Sequence, residues 1–308
     1  MRIVFMGTPD FAVPTLDVLI QNHEVIGVVT QPDRKKGRGK KVQYPPVKEK
    51  ALEHGIPVFQ PDRMKDEAFL AELKAMDPDA IVVVAFGRIL PEVILDLPRY
   101  GCINVHASLL PKYRGAAPMQ WAIINGEKET GVTIMYMDKG MDTGDMLAKT
   151  VVPLDPGETG ESLHDKLSVA GGPALLKVLD EIEAGTVVRT PQKDEDSSYA
   201  GMLTKELGQI DWTRDAVSIE RLIRGLNSWP SAYTHYSGKT LKIWAADVSD
   251  ETPDAEPGTI TAVSKDSMIT ACGSGCLILK EVQLQGKKRM SVHDFLLGNK
   301  IETGMQFS

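Results

Sequence analysis

Through the first half of the chain, short runs of Val and Ile alternate with amphipathic stretches. Residues 3–6, 25–30, 80–85, 102–105 and 132–137 are apolar at almost every position, as strands buried on both faces are. Between them, residues 13–21, 46–54, 66–75, 118–125 and 161–183 repeat apolar side chains at helical spacing. This rhythm predicts βαβ units, a mostly parallel sheet and helices on both of its faces. The pattern then changes. Residues 187–211 are polar and aperiodic, which reads as a linker. A helix is expected at 216–226, stopped by Asn227-Ser-Trp-Pro230. Short alternating strands follow at 242–248, 258–263, 267–271 and 277–283, the pattern of a small β-barrel or sandwich. The expected organisation is an α/β domain over residues 1–188, a linker over 189–206 and a β domain over 207–308.

A length of 308 residues fits two medium domains, and 42% apolar with 25% charged residues is ordinary for a globular chain. A net charge of −7 does not advertise nucleic-acid binding, but local patches matter more than totals. The cysteines, Cys102, Cys272 and Cys276, are too few and too odd in number for a disulfide framework. Cys272-Gly-Ser-Gly-Cys276 reads as a turn, because a metal site needs a second ligand pair. The chain opens directly on a strand pattern, with no leader-like start. No apolar run approaches the roughly 18 residues of a membrane span. A cytoplasmic protein, with no membrane partner, is expected.

The candidate chemistry concentrates at the end of the fourth strand. In Asn104-Val-His106 the side-chain period of two puts both polar groups on one face. In a mostly parallel sheet, sites lie beyond the carboxyl ends of the strands. An Asn carboxamide donates hydrogen bonds suited to an oxyanion, and imidazole moves protons at neutral pH. Asp142, in the Gly-rich Asp138-Lys-Gly-Met-Asp142-Thr-Gly-Asp145 loop, could orient that imidazole. The same acidic loop admits a metal reading, but it matches no hard-cation loop pattern, so no metal is expected. Ser108 is a rival nucleophile without the elbow that would expose it. Its simpler reading, within Ser108-Leu-Leu-Pro111, is a rigid wall of the pocket. The opening Gly7-Thr-Pro-Asp10 turn has one glycine where a dinucleotide loop needs three, which argues against a nicotinamide enzyme. It reads instead as a tight turn, with Asp10 a candidate helix cap.

Arg34-Lys35-Lys36-Gly37-Arg38-Gly39-Lys40-Lys41 follows the second strand directly, with six basic residues in eight. In an acidic chain, such a concentration beside the predicted site suggests a polyanion. A weaker basic set, Lys287-Lys288-Arg289, lies in the β domain.

Several motifs together resemble the methionyl-tRNA formyltransferase family. They are Gly7-Thr-Pro-Asp-Phe11, Thr30-Gln-Pro-Asp-Arg34, Ala85-Phe-Gly-Arg-Ile-Leu-Pro91, Cys102 through Pro111, Arg114-Gly-Ala-Ala-Pro118 and Gly131 through Asp145. Tyr199 through Lys205, Ile210-Asp-Trp212, Asn227-Ser-Trp-Pro230 and Gly286-Lys-Lys-Arg-Met290 extend the likeness into the second domain. Ser228 stands where that family often has Pro. The resemblance implies a Rossmann-like catalytic domain followed by an OB-like β-barrel. It implies formyl transfer from 10-formyltetrahydrofolate to methionine on initiator methionyl-tRNA, for translation initiation. A monomer is expected, since no long exposed apolar seam demands a dimer. Asn104, His106 and Asp142 would be catalytic. Ser108, Leu109, Leu110, Pro111, Phe86, Gly87, Arg88, Ile89, Leu90 and Asp138 would line the folate site. Arg34, Lys35, Lys36, Arg38, Lys40 and Lys41 would grip the tRNA acceptor end, with Lys287, Lys288 and Arg289 contacting tRNA from the second domain. The alternative is formyl transfer to a small amine, such as a sugar nucleotide or glycinamide ribonucleotide.

Overall fold

A computed structural model describes residues 1–36, 41–249, 251–252 and 254–308, and for Lys35, Lys36, Lys41 and Val42 only their backbone. The chain forms two compact units. The first comprises Met1–Pro118, Glu129–Pro153 and His164–Ala200, and the second Met119–Lys128, Leu154–Leu163 and Gly201–Ser308.

The first unit is built on a seven-stranded sheet. In spatial order its strands are Met146–Pro153, Glu129–Tyr136, Cys102–His106, Ala80–Val84, Arg2–Gly7, Glu24–Val29 and Val58–Phe59. The last five run parallel. Every residue of Ala80–Val84 is buried, which explains its unbroken apolar sequence. On one face Val4, Met6, Ile81, Val83 and Cys102 pack against Phe69 and Leu73 of the helix Glu67–Met76. On the other face Gly171 of the helix Gly160–Glu183 comes so close to Val105 that a Cβ there would sit 2.6 Å from its Cγ1. A glycine at that point lets helix and sheet approach. Strand alternation therefore sends Val105 to one face and Asn104 and His106 to the opposite one.

Two features depart from the expected rhythm. The strand over 132–137 is real but runs antiparallel to Cys102–His106, and a further antiparallel strand, Met146–Pro153, forms the sheet edge. That edge strand alternates between half-buried and exposed positions, so its apolar signal is diluted. Asp10 does not cap the helix Val13–Asn22, whose N-cap is Ala12 with no side-chain bond. Its carboxylate instead accepts from the Phe11 N–H within a preceding 3₁₀ turn.

The second unit holds an antiparallel sheet ordered Ala232–Tyr236, Lys239–Ser249, Cys276–Leu284, Met268–Ala271 and Ile260–Val263, with Met290–Ser291 added to Cys276–Leu284. Register shifts at Ile243, Ala245 and Ala246 bend its longest strand. Its core takes Ile219 and Ile223 from the helix Ala216–Gly225, which the Asp215 carboxylate caps by accepting from the Ser218 N–H at 2.8 Å. Trp212 stacks on Phe307 and donates its indole N–H to Thr234. The helix Val292–Gly298 escapes sequence reading because seven residues carry too little periodicity.

The antiparallel edge depends on a close approach. Gly131 pairs with Val151, and a Cβ there would meet the Thr150 carbonyl oxygen at 2.0 Å and Leu109 Cδ2 at 2.7 Å. Gly131→Ala is expected to destabilise the protein by about 1–3 kcal/mol or more, as overpacking against backbone does. A urea denaturation midpoint equal to that of the unaltered protein would contradict this packing.

Candidate active site

The end of the strand Cys102–His106 and the loop over 137–145 build the site together. Leaving the sheet, that loop starts level with Cys102, whose carbonyl accepts from the Met137 N–H at 2.8 Å. It then doubles back over the face that carries Asn104 and His106. The reversal puts Asp142 into the left-handed region, φ +55°. It also brings Asp142 Oδ2 to 3.7 Å from His106 Nδ1. Thirty-five intervening residues are closed by one antiparallel strand and one tight loop.

The carboxylate does not lean on the imidazole for its place, since 3.7 Å exceeds a hydrogen bond. Its anchor is the Gly115 N–H, which donates to Oδ2 at 2.9 Å. His106 is only 6% exposed, and its Nε2 lies 3.0 Å from the Tyr113 carbonyl oxygen. A carbonyl only accepts, so the ring is the donor there and carries its proton on Nε2. That leaves the Nδ1 lone pair free, facing the carboxylate. A proton taken up at Nδ1 thus forms an imidazolium beside an anion. Asn104 is half-buried, and no group among the described residues pairs with its carboxamide. An unpaired amide next to an imidazole–carboxylate pair can serve a carbonyl oxygen that gains negative charge.

The neighbouring predicted residues divide by role. Ser108 is fully buried and donates its hydroxyl to the Lys112 carbonyl at 2.7 Å, so it shapes its own turn and is no exposed nucleophile. Its backbone carbonyl accepts from Thr133, whose hydroxyl oxygen also accepts from the Leu110 N–H. Leu110 packs beneath the site with Met135 and Met146, while Leu109 and Pro111 stay partly open. Phe86 and Leu90 belong to the core with Phe69 and Leu73 rather than to an open wall. The Arg88 guanidinium donates to the carbonyls of Pro61 and Asp62. Gly87 and Ile89 face solvent, Ile89 being 81% exposed.

The acidic loop does not converge on a cation. Asp138 accepts from Gly140 and Thr143, and Asp145 pairs with Arg189. Among the described residues no group of three His, Cys, Asp or Glu side chains is placed to hold a metal.

The basic segment has the frame of a β-hairpin. Arg34–Lys36 pairs antiparallel with Lys41–Gln43, setting Lys36 opposite Lys41. Arg38 and Lys40 lie outside the described residues. A polar knot that sequence reading missed fastens the hairpin's base. Lys48 donates to Asp33 and Gln60, and Gln60 donates in turn to Thr30, Asp33 and the Gln31 carbonyl. The Lys48 ammonium, hydrogen-bonded to Asp33, holds that carboxyl below the usual carboxylate range. In the second unit Lys287 and Lys288 are exposed, whereas Arg289 is paired with Glu281 and stacked over Trp244.

Tyr113, Arg114, Gly115, Gln192 and Ser198 complete the site's scaffold, and none was singled out as functional from the sequence. A signal was present for Arg114 and Gly115, which open the Arg114-Gly-Ala-Ala-Pro118 motif. The Gly115 φ of +116° and its contact with the Ala200 carbonyl, 2.7 Å from where a Cβ would lie, both require glycine.

Comparison with known proteins sets this geometry in context. The formyl transferase family model matches residues 1–179, and the formyl transferase C-terminal domain model matches residues 202–300. The chain is 59% identical to a methionyl-tRNA formyltransferase of Agathobacter rectalis over 309 aligned residues, covering 100% of both chains. It is 53% identical to that of Clostridioides difficile, covering 99% of each. Among solved structures, the N-formyltransferase from Helicobacter canadensis in complex with folinic acid and dTDP-3-aminofucose matches with a TM-score of 0.69 at 19% identity. That match covers 94% of this chain and 100% of that one, and it speaks for the fold alone.

The site's cysteine neighbour is inert by the same burial that builds the sheet. Burial pushes the Cys102 thiol up to about 12, and burial with Cys276 nearby does the same for Cys272. The native protein at pH 8 is expected to resist alkylation at both, and to take up the label only when unfolded. Rapid labelling of Cys102 in the native state, read by peptide mass spectrometry, would overturn this assignment.

Proposed function

This chain belongs to the methionyl-tRNA formyltransferase family, and we propose that it transfers a formyl group from 10-formyltetrahydrofolate to the α-amino group of methionine on initiator methionyl-tRNA, with Asn104, His106 and Asp142 as the catalytic set. The observation that carries the residue assignment is the Asn104 carboxamide, unpaired among the described residues, on the same strand face as His106, with Asp142 Oδ2 3.7 Å from its Nδ1.

When bound, 10-formyltetrahydrofolate supplies the one-carbon unit as an activated amide. The chain's residues suit such a group: the Asn104 carboxamide is an open donor among the described residues, and Leu109, Pro111, Gly87 and Ile89 are at least partly exposed. Asn104 would hold the formyl oxygen of that group by a hydrogen bond and stabilise negative charge on it. His106 holds one proton on Nε2 against the Tyr113 carbonyl and takes or gives another at Nδ1. Asp142, fixed by the Gly115 N–H, stabilises the imidazolium without competing for the substrate. Removing one oxyanion donor typically costs about 10²–10³ in turnover. Asn104→Ala and His106→Ala are each expected to lose at least that much formylmethionyl-tRNA synthesis while still folding. Near-normal turnover in either variant would remove that residue from the catalytic set.

Recognition of tRNA rests on the basic hairpin. Six basic residues in eight concentrate positive charge suited to a polyanion, while the knot under Lys48 keeps the segment's base fixed. Arg34, Lys35, Lys36, Arg38, Lys40 and Lys41 are thus assigned to the tRNA, with the exposed Lys287 and Lys288 as a weaker second contact. A small-amine acceptor gives no reason for six basic residues in eight. A cytoplasmic, monomeric enzyme is part of the same proposal, because charged tRNA is its substrate; no described helix is long and apolar enough to cross a membrane. Arg38→Ala should weaken methionyl-tRNA binding and lower the slope of log affinity against log salt by about one. Affinity and salt slope matching the unaltered protein would sink the hairpin's role.

A further inference from the structure

We propose that Gln192, in the polar stretch between the two matched family domains, is a positioning residue that sets Asp142 against His106. This rests on the reading of Asp142 as the catalytic carboxylate. Residues 189–200 cross both loops of the site. Arg189 pairs with Asp145 at 2.8 Å, and Thr190 and Met146 exchange backbone hydrogen bonds. The Ser198 hydroxyl accepts from the Tyr113 N–H at 2.9 Å, and the Ser198 carbonyl accepts from the Arg114 N–H at 2.9 Å. Tyr113 is the residue whose carbonyl receives the His106 ring proton.

Gln192 sits where these ties meet, and its carboxamide is committed at both ends. Its Nε2 donates to the Asp142 and Gly144 carbonyls, each at 2.8 Å. Its Oε1 accepts from Arg114 Nε at 3.0 Å, while Arg114 also pairs with Asp194. The residue after Arg114 is Gly115, whose N–H fixes the Asp142 carboxylate. The contacts close a ring: the Gln192 amide to the Asp142 backbone, the Asp142 carboxylate to Gly115, and Arg114 back to Gln192. Asp142 is thereby gripped at backbone and side chain from one scaffold. This grip holds it in a left-handed conformation that a non-glycine residue seldom adopts. Without the Gln192 donors, two carbonyls lose their partners and the Asp142 backbone is free to shift while Gly115 stays put. A shift of about 1 Å in a catalytic group can cost on the order of 10²-fold in rate.

The test compares Gln192→Ala and Gln192→Glu, each alone and combined with Asp142→Asn. The Glu variant keeps side-chain volume and the acceptor for Arg114 but loses both donors, so it reports even if the Ala variant folds poorly. Each single change is expected to lower kcat for formylmethionyl-tRNA synthesis by about 10- to 100-fold, with KM for methionyl-tRNA and for 10-formyltetrahydrofolate moved by less than about threefold. In the Asp142→Asn background the same changes are expected to cost less than about twofold, because residues acting through one another are not additive. An equal loss in both backgrounds, or a lowered melting temperature with kcat intact, overturns the positioning role. If Asp142→Asn alone turns over normally, the catalytic set itself fails and this inference falls with it.

Discussion

One backbone hydrogen bond organises the site: the Gly115 N–H donated to the Asp142 carboxylate. A carboxylate beside a nearly buried imidazole is costly unless its lone pairs are occupied. Donation from Gly115 satisfies the anion and leaves the 3.7 Å gap to His106 open. The Tyr113 carbonyl completes the arrangement by holding the other ring nitrogen, so a neutral His106 offers its lone pair on one defined side.

That bond exists only because the sheet changes direction. Five parallel strands carry Asn104 and His106 to their carboxyl end, as doubly wound sheets do. The antiparallel strand Glu129–Tyr136 then returns the chain past His106, and the loop after it folds back over the same face. Close glycine contacts make this packing possible at Gly131 against Thr150 and at Gly115 against Ala200. The packing of the sheet edge and the proposed catalytic set therefore depend on the same stretch of chain. The tight edge that demands glycine is also the edge that delivers the carboxylate.

Much of this was legible in the sequence, for identifiable reasons. The helices over 46–54 and 66–75 stood out because their apolar spacing is clean, and they fold as Pro46–Glu53 and Glu67–Met76. Asn104 and His106 were legible because a strand's period of two is strict. Partnership with Asp142 was suggested by loop composition, yet its anchor was not, since a backbone N–H has no sequence signature. The antiparallel turn of 132–137 was hidden because an apolar run carries no direction. Gln192 and Ser198 were hidden for another reason: a polar, aperiodic stretch looks the same whether it swings free or is tied down by hydrogen bonds. The Lys48 knot was likewise invisible, its members being scattered from Thr30 to Gln60.

In the proposed mechanism Asp142, held by Gly115, serves the chemical step rather than the fold or the binding of tRNA. Single-turnover formation of formylmethionyl-tRNA by Asp142→Asn, at saturating enzyme and 10-formyltetrahydrofolate, tests it most directly. The expected rate is lower by on the order of a hundredfold or more, with methionyl-tRNA affinity and melting temperature unchanged. A single-turnover rate equal to that of the unaltered protein would contradict it.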